Sequence, residues 1–373
     1  MTVTLAFDSF KGSLRSDEVA DAFAQGLCSV LPGLYIKKVY IADGGEGTAE
    51  ALIRNLNGEF VHAQVCDPLG RRITARYGIV EKDRTAVIEM AAASGLTLLS
   101  AKERNPLSTH TFGTGQLIAD ALGKGCQNFF IGIGGSATVD GGVGMLQALG
   151  YRFWRADGSI VPDGAGGGVL NKIVRIDGSC ADPLLKNIQI KVASDVNNVL
   201  CGEHGSAAVF GPQKGATPEM VKILDENLRH FAGLFEENGD VPGDGAAGGL
   251  GFALRMIGGQ IESGAKIVMR ETGFAAALDG ADLVITGEGC SDDQTACGKL
   301  CAAIALEAKA AGVSTVLVSG ALRGDCTELE KLFAGCFSIS RGVSTLEDAL
   351  KDTAVNLEKC TASLAAFSGG LGN

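Results

Sequence analysis

The chain has 373 residues, too long for one typical domain, so two are expected. Asp and Glu number 43 against 32 Lys and Arg, a formal charge of −11, and no basic run or aromatic-interleaved patch occurs, which argues against a nucleic-acid partner. The 54 glycines follow no collagen period and sit at the ends of apolar runs, the pattern of an α/β protein with many tight turns.

Val3–Phe7 reads as a strand ending in the polar loop Asp8-Ser9-Phe10-Lys11-Gly12-Ser13. Ser16 is the expected cap of the next helix, with Asp17 and Glu18 in its first turn and Val19, Phe23 and Leu27 on its apolar face. Tyr35–Ile41 is a second strand, delivering the loop Ala42-Asp43-Gly44-Gly45-Glu46-Gly47-Thr48 ahead of a helix. Two successive strands thus place polar loops at their C-terminal ends, the edge at which open parallel sheets bind ligands. From Glu59 the texture changes to short meander strands, Phe60–Cys66, Ile73–Val80 and Thr85–Met90, separated by turn signals. Thr111–Leu122 reads as a helix.

Asn128–Gly150 is the central stretch. A buried strand, Phe129–Ile133, gives way to Gly134 and Gly135, then to Ser136, Thr138 and Asp140, and then to helical spacing from Met145. Two readings stand: a cradle in which glycine backbone N–H groups and hydroxyls receive a phosphate, or a tight strand-to-helix turn. Tyr151–Trp154 and Gly158–Ile160 suggest a hairpin, and Ile188–Ala193 a strand running into Ser194 and Asp195. Thr217-Pro218-Glu219 is a strong helix start. The last third alternates strand and helix: Leu283–Thr286, Lys299–Ala311, Val313–Val318, Cys336–Ile339, then a closing helix Thr345–Leu364 and a frayed tail. This rhythm matches the first 58 residues. The expected organisation is therefore a discontinuous Rossmann-like parallel-sheet domain, 1–58 and 276–373, interrupted by an inserted mixed-sheet α/β domain, 59–275.

The eleven cysteines show no C-x-x-C pair, and His62, His110, His204 and His230 have no metal spacing. Reduced thiols are expected, with neither a disulfide framework nor a zinc site. No apolar run is long enough to span a membrane and MTVTLAFD reads as a strand, so the expectation is a cytoplasmic protein without a signal peptide. Gly132-x-Gly134-x-x-Ala137, with Asp157 downstream, formally matches a dinucleotide fingerprint, as does Gly243-x-Gly245-x-x-Gly248. A nicotinamide-dependent oxidoreductase using the Gly132 loop is therefore kept as an alternative. Neither a Walker sequence nor a protein-kinase signature occurs. What remains is a set of carboxylates in glycine-rich loops (Asp8, Asp43, Glu46, Asp140, Asp195, Asp244, Glu288, Asp292), accompanied by Lys11 and Lys214. Each can be a turn former; as a set they match the needs of magnesium-assisted phosphoryl transfer.

Nine motifs in this order carry a resemblance: Asp8-Ser-Phe-Lys-Gly-Ser-Leu14, Ala42-Asp-Gly-Gly-Glu-Gly-Thr48, Met90-Ala-Ala-Ala-Ser-Gly-Leu96, Phe112-Gly-Thr-Gly115, Ile133-Gly-Gly-Ser-Ala-Thr138, Asp140-Gly-Gly142, Phe210-Gly-Pro-Gln-Lys-Gly-Ala216, Gly245-Ala-Ala-Gly-Gly-Leu-Gly251 and Gly287-Glu-Gly289. Together they resemble the bacterial type I glycerate kinase (glycerate 2-kinase) family over nearly the whole chain. Three places depart from that pattern: Val139 stands where Asn is usual, Cys290-Ser291 where Arg-Ile is usual, and Asn198-Val199 where Pro-Leu is usual. The resemblance implies phosphorylation of D-glycerate to 2-phosphoglycerate with ATP and Mg²⁺, in a cleft between two α/β domains.

On this reading Asp195 is the first candidate for general base, Asp43 the second, and Lys11 a catalytic cation. Ser9, Gly44, Gly45, Gly134, Gly135, Ser136, Lys214 and Gln294 are candidates for holding substrate or phosphate, and Glu46, Glu288 and Asp292 for the metal. Phosphorylation at the 3-hydroxyl is a second alternative, and an anion-binding relative without turnover, suggested by Cys290 and Ser291, a third. Partners are small molecules, with self-association left open.

Overall fold

Val3–Phe7, the last five residues of the first strand, are buried on both faces, the mark of a strand covered on either side. In the computed structural model the described residues are 1–371 other than Asp43, Glu46, Gln294, Cys297 and Gly298, with side chains described through Ala366. The strands in chain order are β1 (Thr2–Phe7), β2 (Tyr35–Lys38), β3 (Glu59–Cys66), β4 (Arg72–Val80), β5 (Thr85–Glu89), β6 (Asn128–Gly132), β7 (Arg152–Arg155), β8 (Ile173–Asp177), β9 (Gln189–Ala193), β10 (Gln260–Glu262), β11 (Leu283–Gly287), β12 (Cys290–Ser291), β13 (Ser314–Ser319), β14 (Ala321–Leu322) and β15 (Gly335–Ser338). The chain forms two compact units. One comprises Met1–Asp43, Glu50–Leu56 and Ala265–Asn373, the other Gly44–Ala49 and Asn57–Gly264.

The first unit holds a five-stranded sheet in the order β15-β13-β11-β1-β2, every pairing parallel. The chain leaves β1 for β2 on one side and fills the other side with β11, β13 and β15. The β1/β11 boundary is therefore the point at which the winding direction reverses. The Ser16–Val30 helix lays Val19, Phe23 and Leu27 on this sheet, with the Phe7 and Phe23 rings 5.1 Å apart. The helix starts at Ser16 itself, not after it. Arg15 is the cap, and its backbone N–H donates to Glu18 at 2.9 Å.

The second unit is built on a six-stranded sheet, β10-β9-β6-β5-β4-β3. β3, β4 and β5 form the expected antiparallel meander, whereas β5, β6, β9 and β10 run parallel. Its core takes Leu117 and Ile118 from the Phe112–Gly123 helix, Met145 and Leu146 from the Val143–Ala148 helix, and a ring cluster of Phe231, Phe235 and Phe252. The class is thus α/β, one sheet parallel and one mixed.

Two local expectations are corrected. β7 pairs along its length with β8, while Ile160 contributes a single bridge to Trp154. The long closing helix is two helices, Leu346–Lys351 and Thr353–Leu371, broken at Asp352, and the second continues through Leu371. Among the described residues no helix is long and apolar enough to cross a membrane.

Candidate functional site

In the second unit β5, β6 and β9 end side by side at Glu89, Gly132 and Ala193. The Gly44–Gly45 turn is built into this edge. Gly44 has φ +90°, and a Cβ there would stand 2.8 Å from Gly264 Cα and 3.2 Å from Ala193 Cβ. A Cβ on Gly132 would stand 2.7 Å from the Gly44 carbonyl oxygen. Only glycine lets these two backbone turns meet so closely. Behind them the Ala49 N–H donates to Glu89 Oε1 at 2.8 Å.

Gly134 and Gly135 project from the same edge and are exposed, while Ser136 beneath them is buried. The Leu96 N–H donates to the Gly135 carbonyl and the Ala137 N–H to the Ser94 carbonyl, both at 2.9 Å, stitching the loop to its neighbour. Lys214 supports it from below. The single 3₁₀ turn Pro212–Lys214, closed by Gly215 at φ +90°, turns the lysine inward until it is 1% exposed. Its Nζ donates to Ser136 Oγ at 2.6 Å and to the Thr138 carbonyl at 2.8 Å. Burial pushes this ammonium down to about 7, opposed by the Asp140 carboxylate.

Asp140 organises the rest of the loop. Its carboxylate, fully buried, accepts from the Thr111 N–H (2.8 Å), Thr111 Oγ1 (2.7 Å), the Gly142 N–H (3.1 Å) and the Gly144 N–H (3.2 Å). Burial pushes its carboxyl up, against the downward pull of these bonds. His110 is pushed down by its own burial, with the Asp140 and Asp67 carboxylates opposing. Asp195 lies two residues beyond Ala193 and is exposed. Its Oδ1 accepts from Ser263 Oγ at 3.0 Å and the Gly264 N–H at 2.9 Å.

The first unit carries a second cluster. Asp8, Ser9 and Lys11 follow β1, Glu288 and Cys290 follow β11, and all five line one cavity of about 310 Å³. The Ser9 N–H donates to Asp8 Oδ1 at 2.7 Å. Glu288 Oε1 accepts from Ser291 Oγ at 3.0 Å and Thr295 Oγ1 at 2.7 Å, and Ser291 Oγ also bonds Ser319 Oγ at 2.7 Å. Asp292 sits in the next turn, its N–H donating to Thr295 Oγ1 at 3.2 Å. Cys290 occupies β12, which pairs with β14.

The candidates from sequence therefore fall into two groups. Gly44, Gly45, Gly134, Gly135, Ser136, Lys214 and Asp195 belong to the second unit; Ser9, Lys11, Glu288 and Asp292 belong to the first. Asp43, Glu46 and Gln294 lie outside the described residues. Among the described residues no group of three or more His, Cys, Asp or Glu could hold a metal ion.

Sequence reasoning missed the inward turn of Lys214, which sits in a polar Pro-Gln-Lys-Gly stretch with no sign of burial; Pro212 and Gly215 signalled only the turn. It also missed Thr111 as the partner of Asp140. The dinucleotide fingerprint lacks its usual setting: the helix after Gly134 begins only at Val143, and Asp157 sits in a turn, accepting from the Ser159 N–H at 2.9 Å.

The glycerate kinase family model matches residues 3–368. A glycerate kinase of Bacillus subtilis (strain 168) is 44% identical, covering 98% of this chain and 97% of its own length. A glycerate 2-kinase of Escherichia coli (strain K12) is 42% identical, again over 98% and 97%. A crystal structure assigned to glycerate kinase 2 of Salmonella typhimurium LT2 superposes with a TM-score of 0.89 at 42% identity, covering 100% of both chains. The order of the loops, the two sheets and the full-length matches agree: this chain belongs to the glycerate kinase family.

Proposed function

We propose that the protein transfers the γ-phosphoryl group of ATP to the 2-hydroxyl of D-glycerate, giving 2-phosphoglycerate and ADP. The observation that carries this reading is the 42% identity, over 98% of the chain, to an Escherichia coli relative named glycerate 2-kinase. The geometry supports it in kind. Phosphoryl transfer calls for positioning, anion-binding groups and a base near the attacking hydroxyl. The exposed Gly134–Gly135 turn presents backbone to an anion, and Gly44 and Gly45 meet it from the adjoining loop.

Asp195 is the proposed base. It is exposed, and its Oδ1 accepts from Ser263 Oγ and the Gly264 N–H, which orient the carboxylate for taking the proton of the substrate hydroxyl. Asp43 is the second candidate. Lys11 is the proposed cation at phosphate, with Ser9 lining the same cavity, and Gln294 is proposed as a further phosphate ligand from the sequence alone. Lys214, being buried on Ser136 and the Thr138 carbonyl, acts by holding the cradle in shape. Glu288 and Asp292 are the proposed Mg²⁺ residues of the first unit: the Glu288 carboxylate is fixed by the Ser291 and Thr295 hydroxyls, and Mg²⁺ takes one or two carboxylates with substrate phosphate oxygens. That ion would neutralise charge on the transferring phosphoryl group. Glu46 stays a candidate from the sequence alone. We also take the two units as the domains of the enzyme, one continuous with each terminus and one inserted.

The test is ATP turnover with D-glycerate and Mg²⁺, the product being passed to enolase alone and to enolase with phosphoglycerate mutase. A signal with enolase alone is expected. A signal only with mutase moves the phosphate to the 3-hydroxyl, and absence of ADP formation overturns the reading.

A further inference from the structure

Taking ATP as the donor, we infer that the cavity at the C-terminal edge of the five-stranded parallel sheet is the nucleotide subsite, with the base and ribose against its apolar residues and the phosphates at the Ser9–Lys11 loop.

Topology is the first ground. The cavity is lined by the segments that follow β1, β11, β13 and β15. β1 and β11 are neighbours at the point where the winding reverses, and in open α/β sheets the crevice outside the strand ends at that point receives the ligand.

Chemistry is the second. The lining joins the polar Asp8, Ser9, Lys11 and Glu288 to an apolar set, Ile339, Leu346, Ala349 and Leu350, with Ser340, Ser344, Thr353 and Asn356 from the same segments among them. Leu346 is 73% exposed, and Val343 nearby in sequence is wholly so. Glycerate is polar over all three carbons and gains nothing from such an apolar set. A purine placed against it removes apolar surface from water on both sides, worth about 25 cal/mol per Å². The volume, about 310 Å³, is at the small end for organic ligands, enough for the nucleoside end of a nucleotide with the terminal phosphates emerging at the mouth. By contrast, the Gly134–Gly135 turn of the other unit offers backbone and hydroxyls, which suit a small hydroxy acid or a phosphoryl group.

Rigidity is the third. Ser13 Oγ donates to the Leu350 carbonyl at 2.7 Å, and Ser340 Oγ donates to the Gly320 carbonyl at 2.9 Å. These two bonds tether lining segments to one another before any ligand arrives, which lowers the ordering cost of binding.

Cys290 lines the cavity, is partly exposed, and reports on it directly. Wild-type protein is treated with iodoacetamide, and alkylation of the Cys290 peptide is followed by mass spectrometry with MgADP, with D-glycerate, or with neither. Saturating MgADP is expected to slow alkylation about tenfold, and D-glycerate to leave it unchanged. In parallel, Ala349→Trp fills the cavity and is expected to raise the KM for ATP about tenfold with the KM for D-glycerate unchanged. The inference is overturned if MgADP leaves Cys290 unprotected, if D-glycerate alone protects it, or if folded Ala349→Trp keeps the wild-type KM for ATP. Should that variant fail to fold, the wild-type footprint decides. Turnover of ATP without protection sinks this inference and leaves the proposed function standing; protection by MgADP without turnover does the reverse.

Discussion

The Lys214 ammonium and the Ser136 hydroxyl stand 2.6 Å apart, both shielded from solvent, directly beneath the exposed glycines 134 and 135. A buried lysine is unfavourable in itself, and here its ammonium donates to the loop that follows β6. Lys214→Met removes the donor to Ser136 and to the Thr138 carbonyl. We expect kcat/KM to fall about tenfold or more, on the basis of 1–3 kcal/mol for each buried group left without its partner. Amide exchange across 134–137 should quicken while exchange in β6 stays slow. Unchanged exchange and unchanged kinetics would remove Lys214 from any positioning role.

The same lysine makes stability depend on alkaline pH. Its folded value, about 7, lies below the ordinary 10.5. Below the folded value both states carry the proton and no linkage arises. Between the two values the unfolded chain holds a proton that the folded protein does not. Folding then releases that proton, and stability rises with pH until the ordinary value is passed. Urea midpoints taken at pH 7 and at pH 9 should therefore move upward in the wild type relative to Lys214→Met. Parallel behaviour of the two proteins would contradict the assignment.

Asp140 accepts four hydrogen bonds, three on Oδ2 and one on Oδ1. In Asp140→Asn an amide NH₂ must displace one of these oxygens and face backbone donors. The expected loss is roughly 2–4 kcal/mol of stability, measurable as a lowered melting temperature. A melt within a degree or two of wild type would show that the network is dispensable.

Asp195→Asn separates chemistry from structure. The amide oxygen can still accept from Ser263 and Gly264, so the melting temperature should hold. Loss of a general base lowers kcat by about 10²–10⁴. Near-wild-type turnover would pass the role to Asp43.

Gly44→Ala tests the meeting of the two turns. The position has φ +90°, and the new Cβ would sit 2.8 Å from Gly264 Cα. Strain of about 1–2 kcal/mol from the left-handed backbone alone is expected, together with a raised KM for D-glycerate as the turn backs away from Gly132. An alanine variant with native melting and native KM would mean that the two turns tolerate separation.

Much of this molecule is local and was legible as such. The apolar runs at Val3–Phe7 and Phe129–Ile133, the meander from Glu59 and the Thr217-Pro218 helix start all follow from periodicity and capping within a dozen residues, and all formed. The glycine loops were readable too, because turns with a left-handed backbone, such as those at Gly44, Gly135 and Gly142, need glycine at fixed offsets. Other features depended on residues far apart in the chain. β7 chose β8 over the nearer Gly158–Ile160 segment, because a full antiparallel ladder satisfies more backbone groups than a single bridge. Lys214 turned inward because Ser136 and the Thr138 carbonyl, more than seventy residues away, needed a buried donor. Asp140 became a loop tie because Thr111, at the start of the Phe112–Gly123 helix, arrived beside it. The sequence by itself determined which residues could do chemistry and where strands and helices would form. Tertiary structure alone decided which polar groups were buried in holding the loops, as Lys214 and Asp140 are, and which residues, such as Gly134 and Gly135, face solvent: burial and hydrogen-bond satisfaction are set by the whole fold and leave no mark on neighbouring residues.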